Sequence, residues 1–157
     1  MQTNLDHPLV ASTCNVLRTL VGYDVVPVEP HASTCRTHEV HVVIGLAGRA
    51  TGTLVLSLSE HAALKLASSM LLVEADRVND DVVDALGEIA AAIVRGANHD
   101  VCEYVASLPS VVSGARHRIQ FPSNVSSSVQ FYATPWGIMR LELALAPVMA
   151  TACTSCN

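Results

Sequence analysis

Apolar side chains recur along this chain in two rhythms, and the switches between them divide it into elements. Residues 8–21, PLVASTCNVLRTLV, carry Leu9, Val10, Thr13, Val16, Leu17 and Leu20 at spacings of three and four, which puts them on one side of a helix. Asp6 near the cap and Pro8 in the first turn suit its start, and Gly22 suits its end. Residues 23–30, YDVVPVEP, are extended instead, because Pro27 and Pro30 forbid helix, and a polar loop, HASTCRT, follows at 31–37. The rhythm then changes to two. Residues 39–46, EVHVVIGL, and 50–59, ATGTLVLSLS, read as strands joined by the turn AGR. Leu54, Leu56 and Leu58 alternate with Thr53, Val55 and Ser57, so one face of the second strand is buried.

Helical spacing returns at 59–72, SEHAALKLASSMLL, with Ser57 or Ser59 as its cap and Ala63, Leu66, Ala67 and Met70 as its stripe. After the connection VEADRVN, Asn79 caps a long helix, and Asp80 and Asp81 sit in its first turn, where the helix dipole favours them. This helix continues through RGANHDVC. Residues 107–121, SLPSVVSGARHRIQF, hold short apolar runs broken by Pro, Ser and Gly. Residues 127–146 read as a hairpin about the turn TPWG, with Met139, Leu141, Leu143 and Leu145 alternating with Arg140, Glu142 and Ala144. The tail, 147–157, shows no firm pattern and is expected to be mobile. The pattern predicts one α+β domain over residues 1–157, with a mostly antiparallel sheet and helices packed on one face.

The long helix has two contrasting faces. Val83, Leu86, Ala90, Ile93 and Ala97 form its core side. Asp84, Glu88, Ala91 and Arg95 share another face at spacings of four, three and four, and Asn98 or His99 extends it. Gly87, inside the helix, costs about 1 kcal/mol relative to Ala, and the small side chain suits close approach of another segment. On pattern alone such a charge stripe reads as a solvated surface.

Composition narrows the function classes. Half of the residues are hydrophobic, 15% are charged and only 4% aromatic, so the core is built from Val, Leu, Ile and Ala. A net charge of −5 argues against nucleic acid as the main partner. No apolar run is long enough for a membrane span, and the start lacks the pattern of a signal peptide, so a cytoplasmic location is expected. The five cysteines are then expected to be reduced.

Competing chemistry is weak. Cys35, His38 and His41 form a Cys-x2-His-x2-His run, and Cys153 and Cys156 a Cys-x2-Cys pair, which admits a metal-responsive domain as an alternative. A strand holding both His38 and His41 would point them to opposite faces, so no metal site is expected. His7, His61, His99 and His117 are scattered; Ser57 and Ser59 beside His61 lack a partner acid; GLAGRATG lacks the Lys-Ser/Thr ending of a phosphate loop.

Several stretches, in order, resemble the CheX branch of the CheC-type chemotaxis phosphatases. They are NVLRTLVG (15–22), GLAGRATGTLVLSLSEHAALKLASSML (45–71), VVDALGEIAAAIVRG (82–96) and SLPSVVSG (107–114). The resemblance is collinear over about residues 9–120, and it implies the CheC-like fold and a partner, a phosphorylated CheY-like receiver domain. In that family the active helix carries Asp or Ser, three residues, Glu, two residues, Asn. It docks over the receiver's aspartyl phosphate and Mg²⁺; the Glu pairs with a receiver lysine and the Asn orients the attacking water. Positioning and charge neutralisation are most of what phosphoryl transfer needs. The resemblance therefore implies no cofactor of its own, and it implies a homodimer. Asp84 matches the Asp/Ser position and Glu88 the Glu position. Ala91 stands where the Asn belongs, and alanine has no group to orient water. Asn98 lies about 10 Å further along the axis, too far to replace it. Arg95 is nearer, but a guanidinium accepts no hydrogen bond from water. Ser12 and Asn15 on the first helix lack an accompanying carboxylate. A non-catalytic receiver-binding or dimerisation module is the first alternative, and a Cys/His metal-responsive domain the second.

Overall fold

In the computed structural model, which describes residues 6–30, 38–101, 104–115 and 117–147, the period-two runs build a seven-stranded sheet. Strand β1 is Val26–Val28, β2 Val40–Gly48, β3 Ala50–Leu58, β4 Tyr104–Ala106, β5 Ser110–Ser113, β6 Ser126–Thr134 and β7 Gly137–Pro147. The order is β1-β6-β7-β3-β2-β4, and every pairing is antiparallel. β4 pairs with Leu46–Gly48 and β5 with Val40–Val43, so the two lie end to end along one edge of β2. At the predicted β6–β7 turn, Thr134 Oγ1 accepts from the Trp136 N–H at 3.2 Å and donates to the Gly137 carbonyl at 2.7 Å.

Three helices cover one face of the sheet: α1 (Asp6–Val16), α2 (Glu60–Leu71) and α3 (Asp80–Val101). Ser59 Oγ accepts the Ala62 N–H at 3.2 Å to cap α2, and Asn79 Oδ1 accepts the Val82 N–H at 3.0 Å to cap α3. Leu9, Leu17, Leu66, Leu86, Ile89 and Ile93 of the helical layer meet Ile44, Leu56, Tyr132 and Leu141 of the sheet in one core. α1 crosses α3 closely at Gly96. Ser12 Oγ donates to the Ile93 carbonyl at 2.7 Å, and a Cβ added at Gly96 would lie 2.2 Å from Ser12 Oγ.

The structure departs from the sequence pattern at four points. A π turn, Leu17–Val21, follows α1 and ends at Gly22 in the left-handed region (φ 80°). Its wider turn shifts the phase, so Val21 goes inward and Leu20 outward, 39% exposed. On α3 the core side begins at Val82, fully buried, and not at Val83, because the Asn79 cap sets the phase of the first turn. Two short strands stand where the pattern marks none: 104–106, ahead of the punctuated stretch, and 110–113, within it. The second face of the sheet is also covered: Val55, Ser57, Glu142 and Ala144 are all buried. The predicted loop at 31–37 and most of the tail lie outside the described residues.

Candidate functional site

The face of α3 turned away from the core carries the predicted group. Asp84, Glu88 and Arg95 are exposed and Ala91 is half-buried. Arg95 Nη2 donates to Glu88 Oε1 at 2.5 Å, with the two side chains 61% and 50% exposed. The pair is seven residues apart, two helical turns, and Ala91 occupies the turn between them. Asp84, one turn earlier, completes the row.

Two neighbours fix this surface. Gly87 is buried, and a Cβ built there would meet the Pro109 Cβ and Cγ at 3.4 Å, so the segment approaching the mid-helix glycine is the chain's own β4–β5 connection. Ser107 clips that connection to β2: its N–H donates to the Gly45 carbonyl at 2.8 Å, and the Gly45 N–H donates to Ser107 Oγ at 2.9 Å. Leu108 is held between these two fixed points and is 88% exposed. Asn98 is tied down elsewhere. Its Nδ2 donates to the Tyr104 carbonyl at 2.7 Å and its Oδ1 accepts the Tyr104 N–H at 3.0 Å, which secures the start of β4. Ser12 is consumed by the α1–α3 crossing, and Asn15 is exposed on α1.

The Cys/His run does not assemble as its spacing predicts. His38 precedes β2 and so escapes strand alternation; it lines the same cavity as His41 and does not point to the opposite face. Cys35, Cys153 and Cys156 lie outside the described residues. Among the described residues no cluster of three or more His, Cys, Asp or Glu side chains is placed to hold a metal ion. Likewise, no described helix is long and apolar enough to cross a membrane.

Fold and site together define a small α+β domain whose chemical groups stand on the outside of one helix, so that another surface must complete any reaction there. The chain belongs to the CheX family of chemotaxis phosphatases, whose family model matches residues 40–133. Solved structures extend the likeness across the whole fold. The CheX of Vibrio vulnificus is 26% identical with a TM-score of 0.82, over 92% of this chain and 97% of that one. The CheX of Desulfovibrio desulfuricans, 23% identical, has a TM-score of 0.81 over 92% of this chain and 100% of that one. The CheX of Borrelia burgdorferi, solved in a complex with CheY, BeF3 and Mg²⁺, is 19% identical with a TM-score of 0.79 over 92% and 99%. No curated protein matches the chain.

Proposed function

We propose that this protein docks the exposed face of α3 on a phosphorylated CheY-like receiver domain, with Glu88 as the anchor, and acts on the receiver's aspartyl phosphate. The observation that carries this reading is the position of Glu88: an exposed carboxylate at mid-helix, in register with the family's motif, on a chain of the CheX family. The CheY complex of the Borrelia relative supports the choice of partner. Glu88 is already paired with Arg95, but an exposed ion pair contributes only about 0–1 kcal/mol, so a receiver lysine displaces Arg95 at little cost. Mg²⁺ in this reading belongs to the receiver, and the protein brings no cofactor of its own. A cytoplasmic homodimer is part of the same proposal. Val105 and Leu108, exposed at the β4 edge of the sheet, support the dimer, and sedimentation of the purified chain tests it.

The second reading, binding with hydrolysis lost, rests on Ala91. A methyl group between Glu88 and Arg95 supplies neither donor nor acceptor, and neither Asn98 nor Arg95 replaces the amide. Loss of one preorganised polar group elsewhere lowers rates by about 10²–10³. The deciding experiment follows phosphate decay on a CheY-like receiver with and without this protein, in a mixture where binding is demonstrated. Faster decay establishes a phosphatase; bound protein with unchanged decay establishes a receiver-binding module.

A further inference from the structure

The sheet face opposite the helices holds a polar site that docking by α3 does not use. Strand register lines up Val112, His41, Ser57, Arg140 and Phe131 in one row across β5, β2, β3, β7 and β6. His41 Nδ1 and Ser57 Oγ hydrogen-bond at 2.8 Å, and Arg140 Nη2 donates to Glu142 Oε2 at 2.6 Å. His41, Ser57, Arg140 and Phe131 of this row form the floor of a cavity of about 830 Å³, and the segment 117–125, which has no regular secondary structure, lines its other side.

An apolar sheet face needs none of this. His41 is only 7% exposed, yet its Nε2 has no hydrogen-bond partner among the described residues; neither has the buried Nε2 of His117, whose ring stands 4.8 Å away, edge to face. A buried ring nitrogen without a partner costs about 1–3 kcal/mol, which a residue of pure packing avoids. The charge of the lining favours one class of occupant. Glu142 is its one carboxylate and is neutralised by Arg140, which keeps further N–H donors; Arg118 is exposed and pairs with nothing among the described residues. Phe121 and Phe131 add apolar surface beside these donors. The volume falls in the range of small-molecule sites.

We propose that this cavity binds a small organic anion, a carboxylate or phosphate monoester, with its charged group met by Arg118 and Arg140 beside the rings of His41 and His117, and its body against Phe121 and Phe131. The site is independent of α3 and of the reading of Glu88.

The test is titration of the intact protein with inorganic phosphate, succinate and adenosine monophosphate, separately, while the histidine imidazole resonances are followed by NMR. Saturable shifts are expected at His41 and His117 but not at His61, which is exposed on α2. The two organic anions are expected to bind more tightly than phosphate alone, and which of them does so separates a carboxylate from a phosphate monoester. Arg118→Ala alters an exposed side chain, so it leaves the fold intact, and it is expected to weaken binding about tenfold, as for loss of one charge-assisted hydrogen bond. Phosphate binding as tightly as either organic anion removes Phe121 and Phe131 from the proposal. Absence of saturable shifts with all three anions, or an Arg118→Ala protein that binds as the parent does, overturns it.

Discussion

Arg95 reaches two turns back along α3 to donate to Glu88 at 2.5 Å, and the turn it spans is the one that holds Ala91. A side chain with an amide at position 91 would stand in that path. In the proposed docking the three positions act as one unit: a carboxylate that anchors the partner, an arginine that holds it meanwhile, and a methyl group at the place of the family's water-orienting amide.

Glu88→Ala is expected to weaken binding to a phosphorylated receiver about tenfold, for a charge-assisted contact worth roughly 1–3 kcal/mol. Arg95→Ala is expected to leave affinity unchanged or slightly raised, because it frees Glu88 from a weak exposed pair. Titration calorimetry with the receiver checks both. If Glu88→Ala binds as well as the parent, Glu88 is not the anchor.

Ala91→Asn restores the one side chain that the family motif lacks here. Receiver dephosphorylation is expected to rise by about 10²–10³ if the rest of the surface is intact. Phosphate-decay assays on parent and variant read this directly, and an unchanged rate shows that more than the amide has diverged.

Two glycines of α3 are expected to respond in opposite ways to alanine. At Gly96 the new Cβ would lie 2.2 Å from Ser12 Oγ, which is fixed by its bond to Ile93, so Gly96→Ala should destabilise by about 1–3 kcal/mol. At Gly87 the nearest atoms, on Pro109, are at 3.4 Å, an ordinary contact, and the gain in helix propensity approaches about 1 kcal/mol. Gly87→Ala should be neutral or stabilising. Denaturant unfolding of the two variants distinguishes them.

Stability should fall on acidification. Burial lowers the His41 pKa below the ordinary imidazole value, and the neighbouring His117, His38 and Arg140 add to this, against a raising contribution from the His38 backbone. Burial likewise lowers that of His38. Both groups are therefore easier to protonate in the unfolded chain. Their contribution is fully present above the unfolded value of 6.5 and is lost as the pH falls from there through the lower native values. Unfolding free energies measured on either side of that value should show the loss, and His41→Gln should reduce it. An equal loss in the variant assigns the effect to other groups.

Much of this was legible in the residues. Asn79 and Ser59 announced their helices because a capping side chain acts within three residues of itself. Met139 to Leu145 announced a strand because alternation is also local. The phase error at Val82 and Val83 arose from valines at both positions, between which spacing alone does not choose. Leu20 was misplaced because no residue type marks a π turn. The residue pattern alone does not mark β4 and β5, because three- and four-residue strands are made by pairing to β2. Of the candidate site, Glu88, Ala91 and Arg95 could be placed on one face by counting, and the bond between the last and the first is consistent with that count. The polar cavity could not be found this way. It depends on the segment 117–125 crossing a sheet face, and on His38 lying just outside the strand whose alternation would have sent it elsewhere.

Strand β7 carries a consequence for how this domain can change. From Met139 to Leu145, one set of side chains enters the core beneath the helices and the other set faces the cavity side of the sheet, and all of them but the half-buried, ion-paired Arg140 are buried. The strand is thus a partition between two chambers, one backbone thick, with no outward position at which a substitution goes unnoticed. A saturation library over these seven positions, scored by stability, should find almost no neutral variants, whereas α3, which turns a whole face to solvent, should accept exchange at Asp84 with little loss of stability. Drift in this protein is therefore directed toward the exposed face of α3, which in the proposed docking is the surface on which a change of partner is easiest to make.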